Sequence, residues 1–290
     1  MSLQKPIIGY TLGDQAGIGP EVIEKALTTL APDICCKPMG KRITCTPGVP
    51  TRDTALAALE QLENAASALR SGEIDAVVTA PICKESLHKV GFNYPGQTEF
   101  FADRMGADNV VMCLTGQNLT VALCTTHVAL GEVPRLLTTK KIVSTATILA
   151  DFLRSTGIAR PRIALAGLNP HNGENGAFGQ EESRLILPAL QQLQLADSQA
   201  IYSGPCVPDC VYREAVAGQF DGIVAPYHDQ ALIPLKLLDF DNAVNATLGM
   251  ARLRVSPDHG TAFNIAGRGI ASAASTVRAF ELSWKSALHR

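Results

Sequence analysis

The most constraining feature of this chain is an alternation. Short apolar runs rich in β-branched residues recur along it, separated by amphipathic stretches of helical length. The strand-like runs are Ile7–Leu12, Ile74–Ala80, Val110–Leu114, Leu119–Cys124, Arg162–Ala166, Gly222–Ala225, Val244–Leu248 and Leu253–Val255. Helical spacing marks Pro20–Leu30, Arg52–Ser71, Thr139–Ser155, Gln180–Gln194, His228–Leu237 and Ile270–Ala287. A strand–helix–strand order needs crossover connections, and crossovers make neighbouring strands parallel. The chain is therefore expected to be α/β with mostly parallel sheets. Pro32–Pro50, with its prolines, three cysteines and no clear period, reads as a surface loop.

The length of 290 residues allows one large or two medium domains. Lys+Arg number 25 and Asp+Glu 27, a net charge of −2, so no basic footprint for nucleic acid is present. The longest uncharged run, Asn109–Gly131, carries Thr-Gly-Gln-Asn in its middle and reads as two buried strands and a turn, not a membrane span. The first residues lack a basic segment followed by a long apolar one, so no secretory leader is expected. The eight cysteines contain no CxxC pair. Cys83, Cys113 and Cys124 lie among apolar residues and read as packed thiols, which fits a reducing cytoplasm.

In parallel α/β sheets, ligands bind beyond the carboxyl ends of the strands. The first run is followed by Gly13-Asp14-Gln15-Ala16-Gly17-Ile18-Gly19-Pro20, where Gly17 and Gly19 permit tight turns and a helix start could face an anion. Val22 stands where a third dinucleotide-binding glycine would be, so that turn is equally a plain strand-to-helix connection. Beyond Ile74–Ala80 come Pro81-Ile82-Cys83-Lys84 and then Gly96-Gln97-Thr98-Glu99. Three histidines follow strand runs directly: His127, His171 and His228. Imidazole is the commonest metal ligand, and three of them are a catalytic-metal pattern; each alone could equally be a hydrogen-bonded loop residue. Lys236 lies two helical turns after His228, while Asn245 and Arg254 sit in short apolar strands. Such cations pair either with a bound anion or with an internal carboxylate, Asp239 or Asp258.

These stretches resemble the 4-hydroxythreonine-4-phosphate dehydrogenase family of vitamin B6 biosynthesis, and look close to its paralogues acting on D-threonate or D-erythronate 4-phosphate. The resemblance rests on TLGDQAGIGPE, VVTAPICKESLH, YPGQTEFF, TTHVAL, GLNPHNGENGAFGQEE, GPCVPD, YHDQALIPLKLL, AVNATLG and SPDHGTAFNIAGRG, in family order. It implies two α/β/α domains with an active-site cleft between them, assigned to residues 1–95 plus 250–290 and to residues 96–249. It implies a homodimer whose divalent metal (Zn, Mg or Co) is held by His127, His171 and His228, one of them from the partner. Substrate contacts would fall on Gln97, Thr98, Lys236, Asn245 and Arg254, and Lys236, Asp229 and Asp209 are the candidate catalytic residues. The implied reaction is oxidation, with decarboxylation, of a phosphorylated 3-hydroxy acid such as 4-phosphohydroxy-L-threonine, with NAD or NADP as hydride acceptor. D-threonate or D-erythronate 4-phosphate, or a dihydrodiol carboxylate, is the alternative substrate. The cofactor would lie near Asp258–Gly269 and Gly167–Gly176, with no contact assigned residue by residue. No nucleic-acid or membrane partner is implied.

Two departures stand out. The family usually has Gly-His-Thr-Glu where this chain has Gly96-Gln97-Thr98-Glu99, and glutamine carries no charge near neutral pH. The region Ile34–Thr51 is also short, since family members carry several tens more residues there.

Overall fold

A computed structural model describes residues 5–290. Its strands are β1 (Ile7–Thr11), β2 (Cys35–Pro38), β3 (Ala76–Thr79), β4 (Val111–Thr115), β5 (Thr120–Leu123), β6 (Arg162–Ala166), β7 (Ile201–Cys206), β8 (Gly222–Ala225), β9 (Val244–Leu248) and β10 (Leu253–Pro257). Its helices are α1 (Gly19–Thr29), α2 (Arg52–Ser71), α3 (Lys84–His88), α4 (Gln97–Met105), α5 (Val133–Leu136), α6 (Thr139–Ser155), α7 (Leu187–Ala196), α8 (Pro208–Val216), α9 (His228–Asp239) and α10 (Ala274–Leu288). The chain divides into two compact units. One contains the residues up to Val110 together with Val244–Leu288, and the other contains Val111–Ala243. Residues 96–110 and 244–249 group with the first unit. Among the described residues no helix is long and apolar enough to cross a membrane.

In the first unit the strand order is β2-β1-β3-β10-β9. β2, β1, β3 and β10 run parallel, and β9 returns antiparallel to β10. Helix α2 shows why the sequence forms these elements. Thr51 caps its start by accepting from Thr54 N–H, Thr54 Oγ1 reciprocates, and Gly72 ends it with φ 81°. Ala55, Ala58, Leu62, Ala65 and Leu69 recur every three or four residues and are buried. The last four meet Val77 of β3 and the aromatic group Phe92, Phe100 and Phe101 in one core. Phe100 is 0% exposed, with ring centroids 5.2 Å from Phe101, 5.4 Å from Tyr94 and 5.6 Å from Phe92. Phe100→Ala should therefore lower unfolding free energy by about 3–5 kcal/mol, read from the urea midpoint.

The expected loop Pro32–Pro50 is corrected in part. Cys35–Pro38 pairs with Ile7–Tyr10 as a parallel strand at the outer end of the order. Lys and Pro side chains gave it no apolar pattern, and its half-exposed position demands none. The rest of the segment is irregular but pinned, because Gln15 Nε2 donates to Lys41 O at 2.9 Å and Gln15 Oε1 accepts from Ile43 N–H at 2.9 Å.

In the second unit the order is β4-β5-β8-β6-β7. β4 is antiparallel to β5, while β5, β8, β6 and β7 are mutually parallel. The run Asn109–Gly131 forms β4, a turn and β5, as expected. The core joins Leu114, Val121 and Leu123 to Ile223, Ala225, Val211, Ala231 and Leu235. Cys113 and Cys124 are buried here, and burial pushes the Cys124 thiol up to about 12, so it packs as an inert side chain. Cys83 is only half-buried, contrary to expectation, because it stands at the start of α3.

Candidate functional site

The three histidines come from three strands that the second sheet places side by side. β8 lies between β5 and β6, all three point the same way, and each carries its histidine beyond its carboxyl end. Adjacent strands are about 4.8 Å apart, so residues leaving them at one edge are neighbours. The ladder continues past the strands: Cys124 N–H donates to Ala225 O at 2.9 Å and Thr125 Oγ1 to Pro226 O at 2.7 Å. That pins Thr126-His127 beside Tyr227-His228, and the two imidazole centroids are 5.5 Å apart. His228 Nδ1–H donates to Asp229 Oδ1 at 2.7 Å. This selects the tautomer whose Nε2 lone pair is free to ligate.

His171 leaves β6 differently. Residues 171–175 all adopt left-handed backbone, with φ of 50°, 55°, 76°, 42° and 54°. Only Gly173 takes this region at no cost, and others lose about 1–2 kcal/mol each. Such strain persists only where surroundings over-determine it. Here they do: Glu182, 4% exposed, accepts from Leu168 N–H at 2.8 Å and Asn169 N–H at 2.7 Å, and Asn172 Nδ2 donates to Pro205 O at 2.7 Å. His171 lines a cavity of about 580 Å³ whose wall includes Asp209, Tyr212, Tyr227 and Asp229. The Tyr212 hydroxyl is buried without a partner, and its burial raises its pKa.

Among the described residues of a single chain, no group of three His, Cys, Asp or Glu side chains is close enough to hold an ion. The donor chemistry nonetheless fits a divalent metal: two imidazoles side by side, one oriented by a carboxylate, and a third from the adjoining strand.

The remaining site residues cluster on the first unit. Arg254 is 4% exposed in β10. Its Nε–H donates to Thr79 Oγ1 at 2.8 Å and its Nη1 to Thr247 Oγ1 at 3.4 Å. Thr247 is its cross-strand partner on β9 and shares a 3.2 Å hydrogen bond with Thr98. Among the described residues no carboxylate pairs with this guanidinium; burial pulls its pKa down to about 10, partly offset by the charge of Glu99. Among the described residues Arg254 forms no salt bridge with Asp239 or Asp258, and Asp239 accepts from Asn118 N–H and Nδ2. Gln97, 9% exposed, donates from Nε2 to Ala80 O at 3.2 Å, which leaves its Oε1 as a buried acceptor without a donor. Asn245 Oδ1 is in the same condition. The buried Arg254 guanidinium and the unmet Gln97 Oε1 thus stand beside Thr79 and Ala80, consecutive residues at the carboxyl end of β3, a pairing that suits an anion carrying a hydrogen-bond donor.

The predicted residues thus fall into two groups: Gln97, Thr98, Asn245 and Arg254 on one unit, and His127, His171, His228, Lys236, Asp209 and Asp229 on the other. Lys236 lies two turns along α9 from His228, its Nζ 5.9 Å from the Phe240 ring centroid. At the Gly17–Gly19 turn the backbone packs closely on its neighbours. A Cβ at Gly19 would meet Leu12 O at 2.2 Å and one at Gly17 would meet Thr261 O at 2.7 Å, so these glycines serve backbone packing. Sequence reasoning missed Glu182, which lies inside a helical pattern where glutamate is ordinary.

Comparison with known proteins finds relatives over nearly the whole chain. The family model described as "PdxA: Pyridoxal phosphate biosynthetic protein PdxA" matches residues 20–283. A protein of Bradyrhizobium diazoefficiens named 4-hydroxythreonine-4-phosphate dehydrogenase is 43% identical over 281 residues, 95% of this chain and 81% of that protein. One of the same name from Trichlorobacter lovleyi is 37% identical over 338 aligned positions that span both chains fully. The crystal structure of 4-hydroxythreonine-4-phosphate dehydrogenase from Klebsiella pneumoniae superposes with a TM-score of 0.84 at 34% identity, covering 99% of each chain.

Proposed function

The chain belongs to the pyridoxal phosphate biosynthetic protein family PdxA, and on that premise we propose that it is a nicotinamide-linked dehydrogenase. It oxidises the carbinol of a four-carbon hydroxy acid bearing a terminal phosphate, with loss of CO2, and 4-phosphohydroxy-L-threonine is the first substrate to test. The observation that carries this reading is the placement of His127, His228 and His171 beyond three adjoining parallel strands. In the β-decarboxylating reaction class, a divalent ion bound there supplies Lewis acidity toward the reacting oxygens.

The chain's own residues do the rest. Arg254 binds an anionic group through its guanidinium fork, in a site where no internal carboxylate competes. Thr98 and Asn245 orient the same end, and Lys236 neutralises an anionic group. Asp229 is committed to His228, which leaves Asp209, the other carboxylate of the cavity wall, to take the proton of the reacting hydroxyl. Hydride passes to NAD(P)+. Exposed Ile233, Leu237 and Phe240 on and beside α9 support closure of this face by a second copy, so that the homodimer completes the metal site.

Gln97 supports a substrate with a donor beside its anionic group. An ammonium or hydroxyl at the second carbon satisfies Oε1, whereas a 2-deoxy acid leaves it unmet. A panel of 4-phosphorylated acids, read as NADH formation, tests both points. The 2-amino or 2-hydroxy acid should be oxidised, and the 2-deoxy acid should lose about 10- to 100-fold in kcat/KM. Turnover of none of them, with metal present, would overturn the assignment.

A further inference from the structure

We infer that Glu182 is a positioning residue for the metal site: its buried carboxylate holds the left-handed turn that presents His171. The inference rests on the proposed role of His171 as a ligand, and on geometry beyond it. Glu182 Oε1 takes two consecutive backbone N–H groups, Leu168 and Asn169, at the point where the chain leaves β6. Its Oε2 accepts from Asn169 Nδ2 at 3.0 Å and also closes against the middle of the turn, where a Cβ built on Gly173 would meet it at 2.9 Å. One carboxylate therefore bonds the entry of the strained run and, with Gly179 O, leaves no room for a side chain at its centre. Glu181 bonds only the Asn169 side chain and the amide of Gln180, so it does not replace the backbone contacts.

The turn is poorly supported by its own residues. His171 and Glu174 have no local preference for left-handed backbone, whereas Gly173, with φ 76°, takes it freely and Asn172 and Asn175 tolerate it. Without the Glu182 contacts the segment relaxes toward ordinary backbone, and the His171 imidazole moves off its line of approach to the ion. Outer residues that orient metal ligands act in this way, and their loss weakens metal affinity without removing a ligand.

The test is zinc titration by calorimetry on the full chain, with circular dichroism and metal-free melting alongside. His171→Ala sets the scale for loss of a ligand. Glu182→Ala should bind zinc about 10- to 100-fold more weakly while keeping the parent's far-ultraviolet spectrum. Glu182→Gln, which retains an acceptor for both backbone N–H groups, should recover most of that loss. Gly173→Ala, which leaves Glu182 intact but crowds the turn, should weaken zinc in the same direction; it also keeps the test alive if Glu182→Ala does not fold. Parent-like affinity in both Glu182→Ala and Gly173→Ala, with affinity lost in His171→Ala, overturns this inference alone. Parent-like affinity in His171→Ala overturns the metal reading itself and this inference with it.

Discussion

Replacing Arg254 with methionine should abolish most activity and leave the protein as stable as before, or more so. The two effects have one cause. Among the described residues the buried guanidinium has the Thr79 and Thr247 hydroxyls as hydrogen-bond partners and no salt bridge, and burial holds its pKa down at about 10 despite the charge of Glu99. A buried cation without a carboxylate destabilises the fold, and an apolar side chain of similar length relieves that cost. Methionine is flexible enough to fill the space. With the anion-binding role proposed for Arg254, removing the charge should take away about 3–4 kcal/mol of substrate interaction, or roughly 10²- to 10³-fold in kcat/KM. Thermal melting and steady-state kinetics on Arg254→Met read the two effects separately. A lower melting temperature with undiminished activity would mean that Arg254 is structural. Lysine at this position should recover only part of the loss, because it lacks the planar fork.

Much of the site was legible because it follows strand ends. The positions of His127, His171 and His228 needed only the alternation of strands and helices, since a parallel sheet collects whatever lies beyond its carboxyl edges. Arg254 was legible from its neighbours Leu253 and Val255, which bury any residue placed between them. Other features left no pattern. β2 is held by backbone pairing with β1, and its Cys-Cys-Lys-Pro sequence lies at the exposed end of the sheet. β7 contains Gly204-Pro205, which masks a strand. Helix α8 opens with Pro208, a usable start signal, but its nine residues carry too short a period to stand out. The left-handed run at 171–175 was not legible, although Asn172-Gly173 and Asn175-Gly176 mark turns. Its handedness suits Asn172, Gly173 and Asn175 but runs against the preference of His171 and Glu174, so no continuous left-handed run is predicted. The unmet acceptor on Gln97 likewise became visible only when its amide nitrogen was found bonded to Ala80 O.

The second large effect concerns the imidazoles, and it carries the central claim. His127 and His228 lie 5.5 Å apart by ring centroid, and His228 is held in the ligating tautomer by Asp229. Alanine at either position removes a donor while leaving the sheet that supports it untouched, because both side chains lie beyond the strands. Each substitution should lower metal-dependent turnover by about 10³-fold or more, the scale of several kcal/mol of lost charge stabilisation. The most direct measurement is NADH formation from 4-phosphohydroxy-L-threonine by protein stripped with a chelator and then given Zn or Mg. The account predicts no turnover in the stripped protein, recovery on adding the ion, and no recovery in folded His127→Ala, His171→Ala or His228→Ala. Undiminished turnover in chelator, or in any of those three variants, would contradict it.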